Sequence, residues 1–231
     1  MGSARADFKS PNRQITVSPI HPITHSPNPT ICLDPGHPSE VGKGSKGKTL
    51  TEIAAAWQVA QKLRPMLERD GFRVVLTKTE ENQFVKNKDR ANIANRSHAV
   101  LLLRLHCDSG SGSGFAVYYP DRQGKSGRVR GPSKQVIAKS TEASRLLHDT
   151  VAESLKDSLP DRGLFPDTKT LVGSKQGALT GSIFSKVPVV LVEMCDLNNP
   201  KDEEFMRSEE GQHKMADALA AGVKAAVAEH K

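Results

Sequence analysis

Apolar periodicity is absent from the first twenty-nine residues, which carry five prolines among Ser, Asn, His and Thr. Residues 1–29 read as a flexible or extended leader, and His21 and His25 within it as solvated side chains. From residue 30 the pattern becomes regular. The run "TICLD" ends at a Pro-Gly turn, as a short buried strand does. "TEIAAAWQVAQKLRPMLERDG" puts Ile53, Ala56, Trp57, Ala60, Leu63 and Leu67 on one face of a helix closed by Gly71, with Pro65 expected to kink it or split off its last turn. "FRVVLTK" is a second strand, "NKDRANIANRSH" a helix and "AVLLLRLHC" a third strand.

Strands alternating with helices need crossover connections, hence parallel pairing. "GFAVYYP" adds a strand after a Gly/Ser turn, and Ser133 is placed to cap a long helix reaching about residue 159. "VPVVLVEMC" is the last strand. A closing helix from residue 208 turns Met215, Leu219, Val223 and Ala226 inward. The pattern predicts an α/β fold over residues 30–231: a single domain, a mostly parallel twisted sheet with helices on both faces.

Composition narrows the partners. A formal charge of +7 and a pI near 9.4 favour an anionic polymer or surface. The basic residues look scattered along the chain, without the aromatic-interleaved stripe of single-strand binders, so nucleic acid is not expected. No apolar run approaches the roughly 20 residues of a spanning helix, and no signal peptide is visible. Cys32, Cys107 and Cys195 lack metal or disulfide spacing and read as free, buried thiols.

"GKGSKGKT" (Gly42–Thr49) fits the phosphate-loop pattern of nucleotide hydrolases. A true phosphate loop follows its strand directly, whereas eight residues, Asp34 to Val41, intervene here. Asp108 and Asp196 are the candidates for a second, metal-binding acid, but neither follows a clean apolar run. A basic, glycine-rich surface loop is the better reading, with Lys43, Lys46 and Lys48 offered to an anionic peptide or sugar polymer.

The polar residues that interrupt the apolar pattern fall at strand ends. His37 lies just past the first strand, His106 at the end of the third and Glu193 at the end of the last. In an open parallel sheet these ends share one edge, where ligand sites gather. Glu52 opens the helix fifteen residues after His37, which points at the same edge, although Thr49-x-x-Glu52 also fits a capping box. Singly, each has an ordinary explanation as a turn residue, a core histidine or a paired carboxylate. Jointly they do not, because a carboxylate ending an apolar strand is costly without compensation. Two histidines and one glutamate around an open position form a catalytic zinc set, and a further carboxylate supplies a general base.

The segments "ICLDPGH", "LLLRLHCDS" and "VPVVLVEMCDLNNPKDEEF", with Glu52 between the first two, resemble the zinc-dependent N-acetylmuramoyl-L-alanine amidases of bacterial cell walls. The resemblance runs from about residue 30 to the C-terminus. It implies one Zn²⁺ held by His37, Glu52 and His106, with Glu193 as the catalytic carboxylate. It also implies peptidoglycan as substrate and a periplasmic or extracellular location, and leaves any activating partner open. The chain departs from the family pattern at Pro38-Ser39-Glu40, where glycines are usual. It departs again at Arg104 and Cys107-Asp108, where small residues flank the second histidine. Some members carry an inserted autoinhibitory helix; segment 134–159 reads instead as a packed helix. Two other functions fit parts of the pattern: a nucleotide hydrolase using Gly42–Thr49, and an inactive cell-wall-binding domain of the same fold.

Overall fold

The computed structural model describes residues 1–2 and 28–228, so most of the 1–29 leader, His21 and His25 included, lies outside the described residues, as do residues 229–231. In chain order the elements are β1 (Thr30–Pro35), α1 (Glu52–Arg69), β2 (Arg73–Leu76), α2 (Asn87–Arg96), β3 (Leu101–Asp108) and β4 (Phe115–Tyr119). A small hairpin of β5 (Gly124–Ser126) and β6 (Val129–Gly131) precedes α3 (Lys134–Leu155). Then come β7 (Asp161–Pro166), a 3₁₀ turn (Asp167–Lys169), α4 (Leu171–Gln176), α5 (Thr180–Phe184), β8 (Val189–Asp196), α6 (Pro200–Arg207) and α7 (Glu209–Ala228).

Six strands form one sheet in the order β2-β1-β3-β8-β4-β7. The first four run parallel, joined by helical crossovers. β4 runs antiparallel to β8, and β7 is parallel to β4. The reversal follows from chain length: the Gly/Ser turn between β3 and β4 is too short for a crossover. The expected α/β single domain with a mostly parallel sheet and helices on both faces is therefore what forms, with an antiparallel margin.

Alternation along the strands sorts the side chains. Ile31 and Leu33 of β1, Leu101, Leu103 and Leu105 of β3, and Val190 and Val192 of β8 face the main core under α1, α3 and α7. Cys32, Leu102 and Val189 face the smaller core under α2, with Ala94 and Ala99. On that second face, two and four residues further along the strands, lie Asp34, Arg104, His106, Leu191 and Glu193. Ladder pairs Asp34↔Arg104, Arg104↔Leu191 and His106↔Glu193 hold them in one cluster. The three cysteines are free and buried.

Helix α1 departs from expectation in two ways. It runs unbroken through Pro65. The carbonyl left without its donor, that of Gln61, belongs to an exposed residue, where water serves. Trp57 is only half-buried, with the Lys78 ammonium 5.7 Å from its ring centroid, and Val59 fills the core position instead.

Candidate active site

The loop after β1 carries His37, which has φ 49°, a left-handed conformation uncommon outside glycine. Buried cations fasten this loop from below. Arg90 Nη1 donates to Pro35 O at 2.7 Å, and its Nη2 donates to Pro38 O at 3.1 Å. Lys78 Nζ donates to His37 O at 2.6 Å and to Glu81 O at 2.8 Å. Burial first, then the charge of Arg90, pulls the Lys78 pKa down to about 8. Asp34 compensates the cations: it accepts from Arg90 at 2.6 Å, Arg104 at 2.8 Å and the Thr77 hydroxyl at 2.6 Å. Burial works to raise the Asp34 proton affinity, but Arg90 and Arg104 outweigh it and hold the carboxyl well below the usual range.

Glu52 reaches the same edge from the start of α1. The N-cap is Thr51, whose side chain accepts from Ala54 N, so Glu52 is the first helical residue. The expected Thr49-x-x-Glu52 capping box does not form: Glu52 is two positions too early to close one. Its carboxylate turns inward. Oε1 lies 2.7 Å from His106 Nδ1 and 3.5 Å from His37 Nε2, while Oε2 accepts from Ser45 N at 2.6 Å. Burial opposes ionisation, yet the His106 hydrogen bond and both imidazoles bring the Glu52 pKa below its ordinary value. Burial lowers that of His106, against the pull of Glu52.

One donor atom from each of His37, Glu52 and His106 lies within 4.8 Å of the others, a spacing that can hold a metal ion. His37 Nδ1 lies 3.0 Å from Gly42 O, which can only accept. The Nδ1 proton is thereby fixed and the Nε2 lone pair turned towards Glu52. Two glycines make room. A Cβ at Gly36 would meet the His106 ring at 2.7 Å, and one at Gly44 (φ +76°) would press on Glu52 Oε2 and the His37 ring. His106 Nε2 and Glu193 Oε2 are buried without a hydrogen-bond partner among the described residues, on side chains in register across β3 and β8. Burial, then the charges of Glu52 and Asp108, push the Glu193 carboxyl well above the usual range, opposed by Arg162.

A cleft of about 190 Å³ opens beside this cluster, lined by His37, His106, Glu193, Val41, Val172 and Leu179, among others. Its far wall, the segment of α4 and α5, carries no periodic signal and was not foreseen. Nor was Arg162 on β7, which donates to Asp108 at 3.1 Å and whose Nε and Nη2 have no partner among the described residues. Only the pairing of β7 with β4 brings it to this edge.

The loop Gly42–Thr49 does not cradle an anion from outside. Thr49 N and Leu50 N donate to Glu203 Oε1 at 2.6 and 2.8 Å, so a carboxylate of the chain itself fills the place a phosphate would take. Those bonds lower the Glu203 pKa. Asp196, a candidate second acid for that motif, accepts from Gly110 N and Gly112 N and pins the Gly/Ser turn instead.

The comparisons agree with the resemblance. The family model for N-acetylmuramoyl-L-alanine amidase matches residues 31–225. An N-acetylmuramoyl-L-alanine amidase of Mycobacterium tuberculosis is 31% identical over 175 residues, 74% of this chain and 67% of that protein. The amidase AmiA of Escherichia coli is 26% identical over 218 residues, 84% and 74% respectively. In fold, the crystal structure of a Clostridium difficile N-acetylmuramoyl-L-alanine amidase superposes with a TM-score of 0.70 at 24% identity, over 89% of this chain and 100% of that one. With its strand order, edge cluster and matched length taken together, the chain belongs to the N-acetylmuramoyl-L-alanine amidase family.

Proposed function

We propose that this chain cleaves the amide between the lactyl group of N-acetylmuramic acid and L-alanine in peptidoglycan, using zinc at His37, Glu52 and His106 and Glu193 as general base. The observation that carries this reading is Glu52 Oε1 between two imidazoles, with Glu193 in register beside them, its Oε2 buried and without a partner among the described residues. Two nitrogens and one oxygen are a borderline donor set that suits zinc. The room left by Gly36 and Gly44 and the fixed His37 tautomer are consistent with it. When bound there, zinc supplies Lewis-acid activation of water and of the amide carbonyl.

The residues divide the remaining work. Glu193 takes the proton of the attacking water on its unpartnered Oε2 and returns it to the leaving alanine nitrogen. Burial raises its proton affinity, which suits the first transfer, and the charge of Arg162 opposes that rise. Val41, Val172 and Leu179 narrow the cleft and exclude bulk water from the reacting amide. Asp34, Arg90 and Lys78 hold the His37 loop at its backbone and touch no substrate. The buried, unpartnered Oε2 of Glu193 favours catalysis over an inert binding domain, which gains nothing from desolvating a polar oxygen. Peptidoglycan lies outside the cytoplasmic membrane, so the site of action is periplasmic or extracellular. No helix among the described residues is long and apolar enough to cross a membrane.

Mass spectrometry of digested muropeptides tests the reading. Free L-alanine-terminated stem peptides and intact glycan are expected. Glu193→Gln should lower kcat by about 10²–10⁴, the typical worth of a positioned base. Normal turnover in that variant, or cleavage within the peptide or the glycan, would contradict it.

A further inference from the structure

Basic residues that look scattered along the chain concentrate in two segments that the fold brings together. Residues 122–141 hold six Lys and Arg and residues 168–192 three more, and neither segment contains an Asp or Glu. With those nine set aside, the rest of the chain carries twenty-four basic residues against twenty-six acidic ones. The whole positive balance therefore sits in two segments. They meet in space, because α5 packs against both strands of the β5–β6 hairpin and against α2. Helix α2 adds exposed Lys88 and Arg96, with Asp89 its only acid.

The meeting line is a groove. One cleft of about 530 Å³ is lined by Asn92, Arg96 and Lys186 among others. A second, of about 310 Å³, shares Asn92 and Lys186 and continues past Phe184 to Arg130. Arg96, Arg130 and Lys186 are exposed and form no ion pair with any described residue. Lys88 lies 5.5 Å from the Phe184 ring centroid, which fixes one cation at the rim. The side of α5 away from the groove faces the catalytic cleft through Thr180, so the two surfaces are back to back.

We propose that this α2–α5–β6 groove docks an anionic, phosphodiester-linked polymer of the cell envelope, holding the enzyme on the wall while the catalytic cleft stays free. The wall setting rests on the function proposed above. Two adjoining clefts that share Lys186, with Arg96 in one and Arg130 in the other, fit an extended chain of repeating charges better than a flat bilayer, and these cations complement its phosphates. Docking of this kind falls steeply with salt, as neutralised charges release their counterions.

Binding of purified poly(glycerol phosphate) to the full chain, measured calorimetrically at low and moderate salt, tests the proposal without reference to amidase activity. Saturable binding is expected that weakens with salt. Arg130→Gln and Lys186→Gln should each weaken it about fivefold, and the pair about thirtyfold, from roughly 1 kcal/mol per surface cation at an anionic surface. Hydrolysis of a soluble muropeptide should be unchanged in all three variants, which also reports that they fold. No saturable binding would overturn the proposal. So would binding indifferent to the double variant, binding confined to phosphatidylglycerol vesicles, or loss of muropeptide hydrolysis along with binding.

Discussion

Asp34→Asn removes one negative charge and leaves every atom position filled, and the chain should tolerate it poorly. Asp34 is fully buried and answers two buried guanidinium groups, with Arg90 at 2.6 Å and Arg104 at 2.8 Å. Neither arginine can deprotonate. The amide would turn its NH₂ towards at least one of them, replacing attraction with a donor-donor clash. Breaking a buried ion pair from one side typically costs about 3–5 kcal/mol, because the surviving charge stays desolvated. For a chain of this size each kcal/mol is worth about 2–4 °C, so the melting temperature should fall by about 6–20 °C at pH 7. Thr77→Val removes only the neutral third donor and should cost about 1 kcal/mol. The wild-type contribution has a definite pH window. The folded carboxyl is held below its unfolded value, so the stabilisation is complete above roughly pH 4 and fades as pH falls towards the folded pKa. Differential scanning calorimetry of both variants at pH 7 decides the matter. A loss under about 3 °C in Asp34→Asn, or an equal loss in Thr77→Val, would refute the reasoning.

Two further outcomes follow from contacts at the site. Gly44→Ala sets a methyl group against Glu52 and His37 at a positive φ, so zinc affinity measured by chelator competition should weaken by about 10–100-fold, the usual effect of disturbing the groups around metal ligands; unchanged affinity would contradict the packing. Because Glu203 occupies Thr49 N and Leu50 N, the unmodified protein should show no saturable ATP binding by calorimetry, and Lys48→Ala should cost little amidase activity; micromolar ATP binding abolished by Lys48→Ala would restore the nucleotide reading.

What the sequence disclosed and what it hid have physical causes. β1, β3 and β8 are apolar runs buried on both faces, and α1 and α7 have wide apolar stripes, so pattern alone located them. His106 and Glu193 stand out as polar breaks in those runs and His37 as the residue just past β1, and the topology puts all three on one edge. β7 was invisible: "DRGLFP" is only half-buried, contains Gly163 at φ 110° and ends in proline. Helices α4 and α5 are six and five residues long, too short for a period to show, yet they wall the cleft. Which threonine caps α1 is not legible in the sequence, because Thr49 and Thr51 are equal candidates until Glu203, over 150 residues away, claims Thr49. Asp34 and Arg104 were legible as opposite charges in two apolar strands, but their partnership needed the β1–β3 register. The meeting of the two basic segments at α5 depends likewise on long-range packing.

The central claim, a zinc site built by His37, Glu52 and His106 with Glu193 outside the ligand set, is tested most directly by the metal content of three proteins purified without chelator. Inductively coupled plasma mass spectrometry should find about one zinc per chain in the unmodified protein, as a single four-coordinate site requires. Glu193→Gln should hold the same amount, and His106→Ala should lose most of it. Full zinc in His106→Ala, or its loss from Glu193→Gln, would contradict the account.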